Sequence, residues 1–143
     1  MGLSVRDISL SLLRWLFGAV FLFSGLTKAV DPVGTSVFVE KYLTTYGLDA
    51  LMVFALPIAV AIAIVELTLG IAVIVNAFHR LTLRISLLFV ALFTLITLLS
   101  ATVLPIGDCG CFGDAVKLSP WATFWKNIGL LVVVVVLLRC DHR

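Results

Sequence analysis

Hydrophobic residues are gathered into four long runs along this chain, and each run is long enough to cross a lipid bilayer. The runs extend over about residues 8–30, 51–78, 85–106 and 120–138. Roughly 20 apolar residues in a helix span a membrane, where every backbone N–H and C=O group must be paired within the protein. We therefore predict an all-α integral membrane protein, a single domain over residues 1–143 built as a bundle of four transmembrane helices.

The polar stretch between the first and second runs has the signature of a short helix of its own. Asp31 precedes Pro32, the pattern of an N-cap residue followed by proline in the first helical turn, and Gly47 supplies a stop. Apolar side chains recur at helical spacing at Val33, Val37, Phe38 and Tyr42. We predict a short amphipathic helix on the outer membrane surface. It either packs over the bundle or covers a reactive site.

Composition supports the membrane assignment, since 62% of the residues are hydrophobic and only 13% are charged. Soluble domains are closer to one half and one quarter. The formal net charge of +2, without a basic cluster, argues against nucleic acid as a partner.

The placement of arginine predicts how the chain crosses the membrane. Arginines stand at the chain start, between the second and third runs, and at the chain end: Arg6, Arg14, Arg80, Arg84, Arg139 and Arg143. Because positive residues favour the cytoplasmic side, we expect both termini to be cytoplasmic. The other two loops then face the periplasm, and we expect the protein in a bacterial inner membrane.

The loop before the fourth run carries the most reactive residues, Cys109 and Cys111, separated by Gly110. A disulfide between them is feasible if the backbone bends at the glycine, and strained exposed disulfides are the ones that exchange. A structural disulfide gains its stability by closing a long loop, and this one closes almost none. Redox chemistry is therefore the favoured interpretation. A purely structural bridge and a metal site with the neighbouring aspartates remain alternatives, although no histidine lies nearby and we predict no metal.

The third cysteine, Cys140, lies beyond the fourth run and on the opposite side of the predicted membrane. We interpret it as a reduced bystander.

Several polar side chains fall inside the predicted spans, where a charge is costly unless it has a partner. Glu66 lies near the middle of the second span, within reach of Arg14 in the first or Lys126 in the fourth. Lys28 shares the face of Arg14, and Asn127 follows Lys126. These residues form either a structural ion pair that fixes helix register or a set that moves protons and contacts a redox carrier.

Two tryptophans, Trp121 and Trp125, stand one turn apart at the outer end of the fourth span. Tryptophan is enriched at the membrane interface, so anchoring is the favoured role. The alternative is a ring wall for a flat ligand.

The combined pattern resembles a known family. The positions that carry the resemblance are Arg14, Phe21, Ser24-Gly25, Lys28, Asp31-Pro32, Glu66, Gly70, Cys109-Gly110-Cys111-Phe112-Gly113 and Lys126-Asn127. The helix 1 and 2 positions are similar to DoxX-like four-helix membrane proteins. The cysteine loop and the Lys-Asn pair make the chain most similar to the MauE-type branch, named for methylamine utilisation.

The resemblance implies thiol–disulfide chemistry in the cell envelope. MauE-type proteins are linked to maturation of disulfide-containing periplasmic enzymes, and they act beside a periplasmic or membrane-anchored thioredoxin-fold protein. The four-helix plan is also similar to DsbB and vitamin K epoxide reductase, which pass electrons between periplasmic thiols and quinone. Those proteins use a C-x-x-C and a second cysteine pair. Here a partner must reach Cys109 or Cys111 directly.

We therefore expect an enzyme, a membrane thiol–disulfide oxidoreductase in which Cys109 and Cys111 exchange electrons with a thioredoxin-like or client protein. The membrane carrier is expected to be a quinone (ubiquinone or menaquinone), with Glu66 and Lys126 handling charge or protons. Cys109 is the preferred entry point. The alternatives are a non-catalytic assembly factor and a metal-binding membrane protein.

Overall fold

The computed structural model describes residues 2, 4–103 and 119–140. These residues form helices and no strands. The elements are α1 (Val5–Val30), α2 (Pro32–Thr45), a 3-10 helix (Asp49–Phe54), α3 (Ala55–Ile74), α4 (His79–Thr102) and α5 (Pro120–Cys140). Four helical segments are long and apolar enough to cross a membrane: α1, the 3-10 helix continued into α3, α4 and α5. The predicted all-α, multi-pass membrane fold is confirmed.

The four spanning helices pack as two pairs. α1 lies along α3, and α4 lies along α5, while smaller contacts of α1 with α5 and of α3 with α4 join the pairs. α2 packs mainly on α3. We call the end that holds the last turn of α1, α2 and the start of α3 the α2 end of the bundle. The start of α1 and the Val75–Phe78 turn lie at the opposite end.

Small residues bring α1 and α3 close together. A Cβ atom added to Gly18 would lie 2.9 Å from the carbonyl oxygen of Gly70, and one added to Gly70 would lie 3.0 Å from that of Gly18. Ala59 and Ala63 on the same face of α3 are fully buried as well. Lipid gives helices little hydrophobic reason to associate, so close backbone packing of this kind holds them together.

A single residue, Asp31, separates α1 from α2. Its side chain accepts a hydrogen bond from the backbone N–H of Gly34 at 2.8 Å, as an N-cap does, and its own N–H donates to the Thr27 carbonyl at 3.2 Å. Pro32 occupies the first turn of α2, and Gly47 has a φ of +72° just beyond the helix. The predicted helix start and stop are confirmed.

The face that α2 turns to the bundle differs from the predicted stripe. Val33 and Val37 are exposed, whereas Phe38 and Tyr42 face the interior beside Thr35. The physical reason is that a bilayer accepts apolar side chains on an outer face at no cost, so hydrophobicity alone does not decide which side of α2 packs.

The connection between α3 and α4 is tighter than the sequence indicated. α3 ends at Ile74 rather than near residue 78, and α4 begins at His79 rather than near residue 85. Left-handed backbone at Asn76 and Phe78 reverses the chain within the Val75–Phe78 turn. Arg80 and Arg84 consequently lie in the first two turns of α4, because this helix begins before the apolar part of its sequence.

Candidate functional site

A buried ion pair joins α1 to α3. The ammonium Nζ of Lys28 lies 2.9 Å from the carboxylate Oε2 of Glu66, and the two side chains are only 3% and 8% exposed. Lys28 also donates to the hydroxyl of Ser24 at 2.7 Å, one helical turn earlier. Charges removed from water are stable only when paired and hydrogen-bonded, and both conditions are met here.

The backbone explains why Lys28 reaches Glu66. Gly25 stands one turn before Lys28, and a Cβ atom added to it would lie 2.9 Å from the backbone nitrogen of Leu67. The two helices are therefore closely packed beside the pair, which lets a lysine near the end of α1 meet a carboxylate inside α3.

The prediction that Glu66 pairs with Arg14 or Lys126 is wrong, since its ion-pair partner is Lys28. Arg14 lies fourteen residues before Lys28 on α1, which is about 21 Å at 1.5 Å per residue. Arg14 therefore lies far from this site, near the opposite end of the bundle.

Lys126 and Asn127 of α5 meet Glu66 and Ser24 around a small polar cavity of about 20 Å³. The Asn127 side chain is 4% exposed, and its amide nitrogen Nδ2 has no hydrogen-bond partner among the described residues. A cavity of this size is large enough for one water molecule, for which these four side chains are polar partners, and its other walls are apolar. The structure thus gathers four predicted polar residues in one place: Lys28, Glu66, Lys126 and Asn127.

A larger cavity of about 290 Å³ lies between α2, α3 and α4. Its walls include Lys28, Phe38, Tyr42, Tyr46, Ile62 and Phe93. The hydroxyl of Tyr46 is buried and has no hydrogen-bond partner in the part of the chain that the structure describes. The two cavities adjoin, because Phe93 lines both and the Lys28–Glu66 pair connects one to the other.

Comparison with known protein families gives a decisive match. A family model described as methylamine utilisation protein MauE matches residues 6–139. This chain belongs to the MauE family. Neither a curated protein nor a solved structure matches it. The relation to DoxX-like proteins stays a prediction.

The MauE match covers both cavities and the cysteine pair, whereas Cys140 lies outside it. Cys109 and Cys111 belong to residues 104–118, which lie outside the described residues. Cys140 is exposed at the last residue of α5, about 30 Å along the helix from Pro120. Within residues 4–103 and 119–140, no group of three or more His, Cys, Asp or Glu could hold a metal ion.

The two tryptophans of this MauE-family protein lie on the outside of α5. Trp121 and Trp125 are 49% and 66% exposed, and each meets the edge or face of Phe124. Neither lines the two cavities described above. Their exposure is that of membrane-facing aromatic residues, in keeping with the anchoring role.

Sequence reasoning missed the polar face of α4. Its buried members are Thr82, Ser86, Thr94, Thr97 and Ser100. Thr97 lines the larger cavity, and the Thr123 side chain of α5, the helix that packs on α4, is also fully buried. The signal was available, since serine and threonine recur in the third hydrophobic run at spacings of three, four and eight residues. Sequence reasoning also missed the larger cavity, which depends on how α2 crosses the bundle.

Proposed function

We propose that this MauE-family protein is a membrane thiol–disulfide oxidoreductase. Cys109 and Cys111 exchange electrons with a periplasmic or membrane-anchored thioredoxin-fold protein or a client, and a quinone is the carrier in the membrane. The observation that supports this proposal is the buried cluster of Lys28, Glu66 and Asn127 inside the bundle. Ionisable residues inside a spanning bundle commonly mark proton pathways.

The oxidation of the dithiol is balanced by reduction of the quinone. Two S–H bonds break and one S–S bond forms, and the two electrons and two protons released convert a quinone to a quinol with two new O–H bonds. Exchange with a protein partner passes through a mixed disulfide. Glu66 and Lys126 are the titratable groups placed to transfer protons inside the bundle.

The family description directs the proposal towards a client. MauE is described as a methylamine utilisation protein. We propose that this protein serves the maturation of methylamine dehydrogenase by supplying oxidising or reducing equivalents for its disulfides.

The proposed setting is a bacterial inner membrane with both termini in the cytoplasm and the cysteine pair in the periplasm. The start of α1 and the arginines Arg80 and Arg84 of α4 belong to the same end of the bundle, as a shared cytoplasmic side requires. A membrane-impermeant maleimide applied to whole cells tests this topology. It should label the reduced Cys109 and Cys111 and should not label Cys140.

The function itself is tested with a cysteine variant in cells that produce the client. We expect Cys109→Ser/Cys111→Ser to leave client disulfides immature, while Cys140→Ser, the matched control, leaves them intact. The single variant that keeps the entry cysteine and lacks the resolving one should accumulate a mixed disulfide with the partner, and the other single variant should not. Comparison of Cys109→Ser with Cys111→Ser therefore identifies the entry cysteine.

Normal client disulfides in the double variant would overturn the redox proposal and favour the non-catalytic assembly factor. Stoichiometric zinc or copper in the purified protein, lost in the double variant, would instead favour metal binding. In a second assay, anaerobic addition of a ubiquinone analogue to the reduced protein should reoxidise the pair. Failure to do so removes the quinone from the proposal and leaves thiol exchange standing.

A further inference from the structure

We propose that the larger cavity between α2, α3 and α4 binds the quinone ring. The inference rests on the proposed function for the reaction that the quinone undergoes. Binding itself is a separate property that can be measured in a protein without the reactive cysteines.

The position of the cavity selects a ligand that dissolves in the membrane. Ile62 lies two turns into α3, and Phe93 and Thr97 belong to the second half of α4, so the cavity lies within the spanning helices near the α2 end. α3 makes few contacts with α4, and the cavity occupies the gap that separates them. A ligand that enters this gap comes from the apolar part of the bilayer.

The charges around the cavity select a neutral ligand. Lys28 is the cation in its wall, and its ammonium is already paired with Glu66 at 2.9 Å. An anionic lipid headgroup would need an uncompensated cation to offset its loss of hydration. A quinone carries no charge and has two carbonyl oxygens that accept hydrogen bonds.

The Tyr46 hydroxyl supplies a matching donor. It is buried, it belongs to a residue that lines the cavity, and it has no hydrogen-bond partner among residues 4–103 and 119–140. A buried hydroxyl without a partner is unfavourable, and a ligand carbonyl would satisfy it. An acyl chain offers no acceptor and would leave it unpaired.

The size and walls of the cavity suit a ring. Its volume of about 290 Å³ is close to the lower end of the range for small-molecule sites, roughly 300–1,000 Å³. Phe38, Tyr42 and Phe93 contribute aromatic surfaces, which stack favourably on a flat ring. The volume leaves no room for the headgroup and two chains of a phospholipid.

The neighbouring polar cavity gives the ring a source of protons. Phe93 lines both cavities, and the Lys28–Glu66 pair stands between the larger cavity and the one lined by Lys126 and Asn127. A quinone reduced beside Lys28 takes up two protons, and this arrangement places the ionisable groups of the bundle directly behind the binding site.

Photoaffinity labelling of the purified full-length protein tests the site. The probe is an azido-ubiquinone, competed with decylubiquinone, on a background of Cys109→Ser/Cys111→Ser so that no redox reaction intervenes. Labelled peptides are identified by mass spectrometry. We expect labelling within α2, α3 and α4, at the residues that line the larger cavity.

Two valines on α2 provide a matched pair of variants. Val39→Trp places an indole inside the cavity, whereas Val37→Trp places the same side chain on the exposed face two residues away. We expect Val39→Trp to weaken competition by decylubiquinone at least tenfold and Val37→Trp to leave it unchanged. Tyr46→Phe, which removes only the hydroxyl, should weaken it by about three- to tenfold, the range of a single hydrogen bond.

Equal competition in Val39→Trp and Val37→Trp, or labelling confined to other helices, would overturn the proposed site. A second result would also overturn the proposed site: an acyl lipid that co-purifies in stoichiometric amount, that is lost in Val39→Trp, and that decylubiquinone does not displace. Failure of the proposed function gives a different result. In that case the analogue binds in the cavity, but the reduced wild-type protein is not reoxidised by it.

Discussion

The α1–α3 interface and the α3–α4 interface are built in opposite ways, although all three helices are long and apolar enough to cross a membrane. α1 and α3 approach so closely at Gly18 and Gly70 that a single methyl group would collide with the opposite backbone. α3 and α4 stay apart, and α2 lies over the gap that they leave. The first interface contains the buried ion pair and the second contains the larger cavity.

The difference shows how one small bundle serves two needs. A buried ion pair requires fixed geometry, because a small displacement removes the hydrogen bonds that offset its desolvation. A ligand site requires room, which close helix packing would eliminate. Lys28 belongs to both, since it completes the ion pair of the first interface and lines the cavity of the second.

The largest expected effect comes from breaking the ion pair. Glu66→Leu leaves the Lys28 ammonium buried without its counter-charge, and we expect a loss of about 3–5 kcal/mol in the free energy of unfolding. Titration with sodium dodecyl sulfate in mixed micelles measures the loss. The double variant Lys28→Met/Glu66→Leu should recover most of the stability, since two packed apolar side chains need no compensation. A double variant as unstable as the single one would show that the pair is not the cause.

A glycine substitution tests the close interface next. Gly70→Ala places a Cβ atom 3.0 Å from the Gly18 carbonyl oxygen and the Leu22 backbone nitrogen, so the helices must separate. We expect a loss of about 1–3 kcal/mol, measured by the same titration. Gly129→Ala is the matched control, since a Cβ atom there meets nothing within 4 Å. The free energy of unfolding of this control variant should rise by up to about 1 kcal/mol, because alanine has a higher helix propensity than glycine. Equal effects of the two substitutions would contradict the packing argument.

Loss of the α2 cap should destabilise α2, which lies over the α3–α4 gap, and should leave the α1–α3 interface unchanged. Asp31→Ala removes the hydrogen bond to the Gly34 N–H, which we expect to cost about 1 kcal/mol. Hydrogen exchange should accelerate in the first turns of α2 and stay unchanged in α3. Asp49→Ala is the control, because Asp49 follows Leu48, the N-cap residue of the 3-10 helix, and no side-chain cap bond is formed there. Equal acceleration of hydrogen exchange in α2 and α3 would contradict the view that the two interfaces respond separately.

The smallest effect on stability is expected at Asn127. Its unpaired amide nitrogen is costly to bury, so Asn127→Leu should change the free energy of unfolding by less than about 1 kcal/mol. Quinone-dependent reoxidation of the dithiol should nevertheless slow by about tenfold, since a polar wall beside Glu66 is lost. Thr123→Val, which removes a different unpaired polar group, a buried hydroxyl outside the polar cavity, should alter neither quantity. An unchanged reoxidation rate in Asn127→Leu would exclude that residue from the proton route.

The parts of the fold that the sequence predicted correctly are those governed by local chemistry. Spanning length follows from composition, and the start of α2 follows from Asp31 and Pro32. The partner of Glu66 could not be found in this way. Arg14 and Lys28 lie on the same face of α1 because fourteen residues are close to four helical turns. Only the register against α3, set where Gly18 meets Gly70, selects Lys28.

The larger cavity could not be predicted from the sequence for a related reason. Val37 and Val39 are the same residue type on one short helix, yet the first is exposed and the second lines the cavity. In a bilayer both environments accept valine. The hydrophobic pattern of α2 therefore does not determine the direction in which α2 crosses the bundle.

The single-residue joint at Asp31 gives α1 and α2 a mechanical linkage. The N–H of Asp31 completes the last turn of α1 while its carboxylate begins α2, and Pro32 follows at once with a fixed φ. Because a single residue joins them, the angle between the two helices is set by the backbone of Asp31 and Pro32. Lys28, three residues before this joint, is held by Glu66, and Tyr46 lies just beyond the end of α2. The joint therefore sets how far the Tyr46 hydroxyl lies from the ion pair.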